Sequence, residues 1–325
     1  MKALAADVAA VCRRMSAETR VALAVHEKPD PDALGAAGGM LDLFAQLGVA
    51  AHLYVAEGEL LPLEALLLPP GAVMRGLPPA GLPLYALDCG TLPRLALPLE
   101  SWDGPVVDID HHHDNTAFGD VNLLRPEASS ASEIVCALAH GLGLAPRLAG
   151  ATALYAGISF DSGHFHHGST SAATFACAAW LRGLGVDVTA VYGELYERGS
   201  LGALRLRARA VNTIAPVAGG RGLIATVGRA DYAAAGAGEE ETEGIVECLR
   251  AVDGVEAAAL VKEQSNGART RVSLRSSAVD VSAIAALRGG GGHRLAAGFS
   301  SDDSPEEVSA WLSSELARCL LTASS

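Results

Sequence analysis

VALAVHEKPDPDALGAAGGMLDLFAQLG, residues 21–48, is the stretch on which the fold turns. Val21–Val25 is a short apolar run of the kind that forms a strand, and it ends in His26. Ala33–Leu47 carries its apolar residues at helical spacing and stops at Gly48, a C-cap signal. Between them lies HEKPDPD. Pro29 and Pro31 fix φ on either side of Asp30, so Asp30 and Asp32 are expected in an extended segment before the helix. An Asp-rich helix cap with a surface His would produce the same string.

The pattern recurs outward from there. Ala50–Val55 reads as a second strand, and the Pro- and Leu-rich residues 58–83 as loops with a short helix. Leu84–Leu87 is a strand ending in Asp88, and Val106–Ile109 a strand ending in Asp110. Ser132–Leu142 is a helix closed by Gly143. Leu148–Ile158 is another, followed by a loop containing Asp161, and Ser171–Gly183 is a third. Strands alternating with helices predict an α/β fold with a doubly wound, mostly parallel sheet. Ligands in such sheets sit at the carboxyl ends of the strands, where each acidic motif falls.

A second pattern follows a helical connector near Asp187–Ala210. Val211–Val217, Gly222–Val227, Val255–Lys262 and Arg271–Arg275 read as strands, with helices at Glu239–Ala251, Val281–Leu287 and Ser304–Leu321. The expected division is a catalytic domain over 1–190, a helical linker over 191–211 and a smaller mixed α/β domain over 212–325, with a cleft between the domains.

With 325 residues the chain has room for two cores. Its net charge is −13, which argues against long duplex nucleic acid as a partner. The charge is uneven: residues 1–190 hold 10 basic and 20 acidic side chains, the remainder 14 and 17. Asp280 is the lone acid between Arg269 and Arg294, a stretch that also holds Arg271, Arg275 and Arg288. A basic patch beside an acidic domain suits a short anionic substrate. The N-terminus reads as an amphipathic helix and no apolar run reaches a membrane span. A cytoplasmic protein is expected, with its 6 scattered cysteines reduced and in the core.

Acidic groups brought together repel one another and lose hydration, and divalent cations are the usual compensation. His26, Asp30, Asp32, Asp88, Asp161 and one of His111 and His112 are the candidate ligands, and a single carboxylate such as Asp88 could reach two ions. Adjacent residues of an extended segment point in opposite directions, so His111 and His112 should do different jobs. One binds metal and the other meets substrate, held by Asp110 or another partner. Gly289–Gly292, including Gly290 and Gly291, would leave backbone N–H groups open to a phosphate, and His293 would contact it. The residues therefore read as a metal-dependent phosphoesterase.

HEKPDPDALG, Asp88, DHHHDN, FDSG, RVSLRS and GGGGHRLAAGF, in that order, resemble the motifs of the DHH–DHHA1 phosphoesterase superfamily. The resemblance covers nearly the whole chain and is to the short branch of oligoribonuclease (nanoRNase)/pAp-phosphatase type, which includes bacterial c-di-AMP and pApA phosphodiesterases. It implies two cations, Mn²⁺ first, with Mg²⁺ or Co²⁺ as alternatives. His26 and Asp30 would hold one, Asp32, His111 and Asp161 the other, and Asp88 would bridge. It implies that His112, with Asp110, serves the scissile phosphate, and that Arg271, Arg275, Gly290, Gly291, Gly292 and His293 bind substrate. Short oligonucleotides and linear or cyclic dinucleotides are the implied partners, and a homodimer is allowed. Lys28 stands where Asn is common, and Ala36 where Ser is common. The rival readings are an inorganic pyrophosphatase or polyphosphatase, and a nucleotide sensor without catalysis.

Overall fold

The computed structural model describes residues 6–95, 97, 102–264 and 269–322. It divides into two compact units, Met1–Arg198 and Gly199–Ser325. The residues expected as a linker, 191–211, are thus shared between the units.

The first unit runs α1 (Ala6–Ala17), β1 (Arg20–Val25), α2 (Pro31–Leu47), β2 (Ala50–Val55), α3 (Glu64–Leu67), β3 (Val73–Arg75), β4 (Leu84–Leu87), β5 (Val106–Asp110), β6 (Val121–Leu124), α4 (Ala131–Leu142), α5 (Leu148–Asp161), α6 (Ala172–Gly183) and α7 (Val188–Tyr196). Its sheet has the order β3-β2-β1-β4-β5-β6, and every pairing is parallel. The order reverses between β1 and β4, which makes their carboxyl ends the crevice of a doubly wound sheet. Both faces of β1 are buried: Val21, Leu23 and Val25 pack into one cluster, Ala22 and Ala24 into another. That is why its sequence is a continuous apolar run and not an alternation.

Several boundaries differ from the sequence reading. β3 lies within the stretch read as loops, and β6 was not anticipated; both are short and close the edges of the sheet. Helix α2 starts at Pro31, because proline at the first helical position costs no hydrogen bond, so Asp32 sits in the first turn and not in an extended segment. Asp161 is the last residue of α5 and not a loop residue.

Helix α2 is buried along nearly its whole length, and glycine makes that possible. A Cβ on Gly35 would lie 2.5 Å from the Ala153 carbonyl oxygen of α5, and one on Gly39 2.4 Å from Leu154 Cδ2. The two helices touch backbone to backbone, which draws the start of α2 toward the end of α5.

The second unit runs α8 (Leu201–Asn212), β7 (Ala215–Val217), β8 (Gly222–Val227), α9 (Arg229–Ala235), α10 (Ile245–Arg250), β9 (Ala257–Glu263), β10 (Thr270–Ser276), α11 (Val281–Ala286), β11 (Gly291–His293), β12 (Ala296–Ser301) and α12 (Pro305–Thr322). The sheet is mixed, β11-β12-β10-β9-β8-β7, with β8–β9 the parallel pair. α12 and α11 cover one face, while α8, α9 and α10 cover part of the other. The strand expected at Val211–Val217 is shorter because α8 runs on to Asn212. The helix expected at Glu239–Ala251 is interrupted by Gly244, whose φ of 78° ends a 3-10 turn before α10 begins. Among the described residues all six cysteines are free, but Cys248 is exposed and the thiols of Cys136 and Cys177 interact in the core. No single helix is long and apolar enough to cross a membrane.

Replacing Gly35 by Ala should cost about 1–3 kcal/mol, the usual price of overpacking, because a backbone carbonyl cannot swing away. Urea unfolding of the Gly35→Ala variant measures it; a midpoint equal to that of the parent would contradict this helix contact.

Candidate metal centre

The predicted ligands of the first unit converge at the sheet's reversal point. His26 follows β1, Asp88 follows β4 and His111 follows β5, so neighbouring strands deliver them side by side. Asp30 and Asp32 come from the start of α2, and Asp161 from the end of α5. His26 Nε2 lies 3.6 Å from Asp88 Oδ2 and 3.9 Å from Asp30 Oδ2. His111 Nε2 lies 3.3 Å from Asp88 Oδ1 and 3.3 Å from Asp161 Oδ2. Asp88 therefore turns one oxygen to each histidine. Three overlapping donor sets result among the described residues, His26–Asp30–Asp88, Asp32–His111–Asp161 and Asp88–Asp110–His111–His112, each with its donor atoms within 4.8 Å of one another.

The donor set fits divalent cations. Asp88 is 2% exposed, yet its Oδ1 makes no well-aligned hydrogen bond, although His111 Nε2 stands 3.3 Å away, so the polar atom at the centre of the cluster is held by charge alone. Carboxylate oxygens with an occasional imidazole are what Mn²⁺ and Mg²⁺ prefer. The second nitrogen of His26 is committed: Nδ1 lies 2.8 Å from the Glu27 carbonyl, to which it donates, leaving Nε2 as the inward lone pair. Asp88 stands at φ 55°, a left-handed conformation that costs a side-chain-bearing residue roughly 1–2 kcal/mol. Such strain collects at functional sites.

Helix ends hold the remaining carboxylates. Asp30 Oδ1 caps α2 by accepting from Asp32 N and Ala33 N, while Oδ2 faces His26. One oxygen of Asp30 thus serves as the helix cap, which leaves the other turned toward His26. His26 is 8% exposed, so it is not a surface residue. Asp32 is fully buried, and its two oxygens accept from Ala131 N at 2.7 Å and Ser132 N at 3.0 Å, at the start of α4. Sequence reasoning did not find this support, because α4 lies about a hundred residues away in the chain.

Asp110 and His112 form a second layer. Asp110 is fully buried and accepts from His112 Nδ1 at 2.7 Å, from the His111 backbone at 2.8 Å and from Asn115 Nδ2 at 2.6 Å. A proton between Asp110 and Nδ1 removes that nitrogen from metal binding and turns Nε2 into the working end of the ring. The two histidines have different partners, His111 facing Asp161 and His112 held by Asp110, but not for the reason expected. Their ring centroids are 4.9 Å apart, and both rings approach Asp88, because β5 ends at Asp110 and strand alternation no longer applies. Asn115 was missed as a contributor, although it belongs to the same DHHHDN run. Asp108 was missed as well. It shares a strand face with Asp110 by the two-residue period, is fully buried, and neither oxygen has a hydrogen-bond partner among the described residues. Burial pushes its carboxyl up to about 7.

The electrostatics describe a cluster short of positive charge. Burial and Asp88 push Asp30 up, burial with Asp88 and Asp161 pushes Asp32 well above the usual range, and burial carries Asp161 up to about 6. Burial also disfavours the charged forms of His26 and His111, but Asp88 and its neighbours outweigh it and hold them up to about 9 and about 10. The same two histidines keep Asp88 well below the ordinary carboxylate range against its burial. Without metal, protons on imidazole occupy the place of cations.

The predicted substrate residues lie in the other unit. Arg275 of β10 and His293 of β11 are both in register with Ala296 of β12, so they flank it on one sheet face. The glycine run is not an open loop. Gly289 N and Gly290 N donate to the carbonyls of Ala286 and Ala285, and Gly291 and Gly292 belong to β11, paired with β12. The basic patch is also more neutral than the local sequence implies. Arg269, Arg275 and Arg288 pair with Asp302, Glu247 and Asp303, acids from outside the window that was counted.

Residues 20–158 match the DHH family, N-terminal domain, and residues 219–320 match the DHHA1 domain. A Thermus thermophilus protein named bifunctional oligoribonuclease and PAP phosphatase NrnA is 32% identical, over 86% of this chain and 84% of its own. The chain belongs to the DHH–DHHA1 family. The Bacillus subtilis protein of the same name is 25% identical, over 89% of this chain and 91% of its own. Among solved structures, an exopolyphosphatase-related protein from Bacteroides fragilis shares the fold at a TM-score of 0.85 and 21% identity, covering 98% and 97% of the two chains. Exonuclease RecJ bound to manganese shares it at 0.52 and 17%, covering 96% and 94%.

Family membership gives Lys28 a physical meaning. Its φ is 52°, and Asn, which the resemblance would place here, tolerates the left-handed region far better than Lys. Lys28→Gly should therefore raise stability by about 0.5–1 kcal/mol, read as a higher thermal midpoint; a lower one would show that the side chain is needed. A second expectation concerns protons. Metal must displace those on His26 and His111, so Mn²⁺ binding should release protons and tighten as pH climbs from neutrality toward about 9 to about 10. Calorimetry in buffers of different ionisation enthalpy measures the release, and an affinity flat in pH would contradict the assignment.

Proposed function

We propose that this DHH–DHHA1 protein hydrolyses the phosphoester bonds of short nucleotides: pApA, nanoRNA of two to five nucleotides and pAp, with c-di-AMP as a further substrate. The observation that carries the reading is Asp88, a buried carboxylate presenting one oxygen to each of two donor sets. Hydrolysis of phosphoric esters is the activity in the names of its curated relatives.

His26 and Asp30 would hold one cation and Asp32, His111 and Asp161 the other, with Asp88 between the two sets; Mn²⁺ is the first choice. When bound, the pair lowers the pKa of the attacking water and stabilises charge on attacking and leaving oxygens. His112 contributes from the protein side. Its hydrogen bond to Asp110 raises its affinity for a proton, so Nε2–H donates to the scissile phosphate as negative charge builds there. Arg275 and His293, together with the edge strand through Gly290, Gly291 and Gly292, bind the substrate's phosphate and terminal nucleotide, and Arg271, four residues before Arg275 on the same strand, contacts the longer substrates. Arg275 reaches that phosphate by exchanging Glu247, a half-exposed partner that a dianion outcompetes.

The test is a substrate panel with product mapping, run with Mn²⁺ and in chelator. Chelation should abolish turnover of pApA and pAp, and Mn²⁺ should restore it. His111→Ala should lose bound metal, whereas His112→Ala should retain it and lose at least about a hundredfold in kcat, the lower range for a positioned proton donor. Full turnover after confirmed metal removal overturns the reading, as does cleavage of inorganic pyrophosphate or tripolyphosphate with none of the nucleotides.

A further inference from the structure

Two cations on the sheet of the second unit face one another with no ion pair to either among the described residues. Lys262 of β9 and Arg271 of β10 are direct partners across an antiparallel ladder, so two positive side chains stand opposite one another on one face. Like charges in that position cost stability. The neighbouring arginines are each neutralised by an acid, but neither Lys262 nor Arg271 is in an ion pair among the described residues. Lys262 is half-buried and donates to Thr242 Oγ1 at 2.8 Å, which uses one of its three ammonium protons. Glu239 and Glu243 act on it at longer range, while burial and then Arg271 disfavour its charge.

The surroundings form a floor for a ligand. On β12, Ser300 is in register with Arg271, Gly298 with Ser273 and Ala296 with Arg275. Small residues thus lie beside each position of β10 on this face. Arg271 and Arg275 are four residues apart on one strand, about 13 Å at the usual rise. They stand side by side along the floor and do not converge on one point.

We propose that Lys262 and Arg271 form a second anion subsite, which takes a backbone phosphate of an oligonucleotide farther along the chain than the phosphate held by Arg275. This rests on the short-nucleotide reading and adds to it a rule for length. The mononucleotide pAp does not reach the subsite, and longer chains do. The uncompensated charge is what a substrate's phosphate neutralises.

Wild type, Lys262→Met and Arg271→Gln are compared on pAp, pApA, a pentanucleotide and a generic aryl phosphodiester. KM for the pentanucleotide should rise about tenfold in each variant, as for loss of one charge-assisted contact, with kcat unchanged. In Lys262→Met, hydrolysis of pAp and of the aryl diester should be unaffected. The thermal midpoint should hold or rise, because a like-charge pair has been relieved. A lower midpoint, an equal loss on every substrate, or an unchanged KM for the pentanucleotide overturns the subsite. If the wild type cleaves none of the nucleotides, the short-nucleotide reading fails instead, and direct titration with the pentanucleotide still decides the subsite: equal affinity in wild type and variants overturns it, and weaker binding by the variants supports it.

Discussion

Asp88 is a carboxylate almost without solvent, at the reversal point of a parallel sheet, with an imidazole on each side. A charge in that position must be compensated, and the rest of the first unit is arranged around how. His26 and His111 are the nearest compensators, and further carboxylates stand behind them. The cluster is stable only with extra positive charge, supplied by protons on the histidines or by cations in their place. Cations would meet the same need and would also satisfy Asp30, Asp32 and Asp161.

The geometry depends on backbone contact more than on the ligands themselves. α2 and α5 approach closely because Gly35 and Gly39 offer no side chain at the crossing. Gly157 does the same beside the site, where a Cβ would come within 2.6 Å of Asp32 Oδ1. Asp32 is then fixed by two N–H groups at the start of α4. Asp30 is fixed by the start of its own helix. The carboxylates are therefore oriented before any metal binds, which is the preorganisation that charge-stabilising catalysis needs. Asp110 does for His112 what the helix ends do for the aspartates.

The second unit follows a different logic. Its sheet is half covered, and its exposed part carries arginines among small residues. Most of those arginines have acids for partners, which keeps the free protein from carrying a large uncompensated field. Lys262 and Arg271, neither in an ion pair among the described residues, stand out because the ladder forces them together.

The sequence by itself determined the doubly wound class, the strand ends that bear chemistry and nearly all of the proposed ligands. Apolar runs that end in Asp or His are a local signal, and local signals survive without coordinates. It did not determine where Asp161 ends a helix, that Asp32 starts one, or that β3 and β6 complete the sheet, since short edge strands carry little pattern. Partners remote in the chain were also decided only by the tertiary structure. Glu247 for Arg275, Ala131 and Ser132 for Asp32, and Lys262 opposite Arg271 meet through packing and register. The local count of charges around Arg275 therefore overstated the basic patch, and the pair that does carry uncompensated charge showed only once β9 and β10 were aligned.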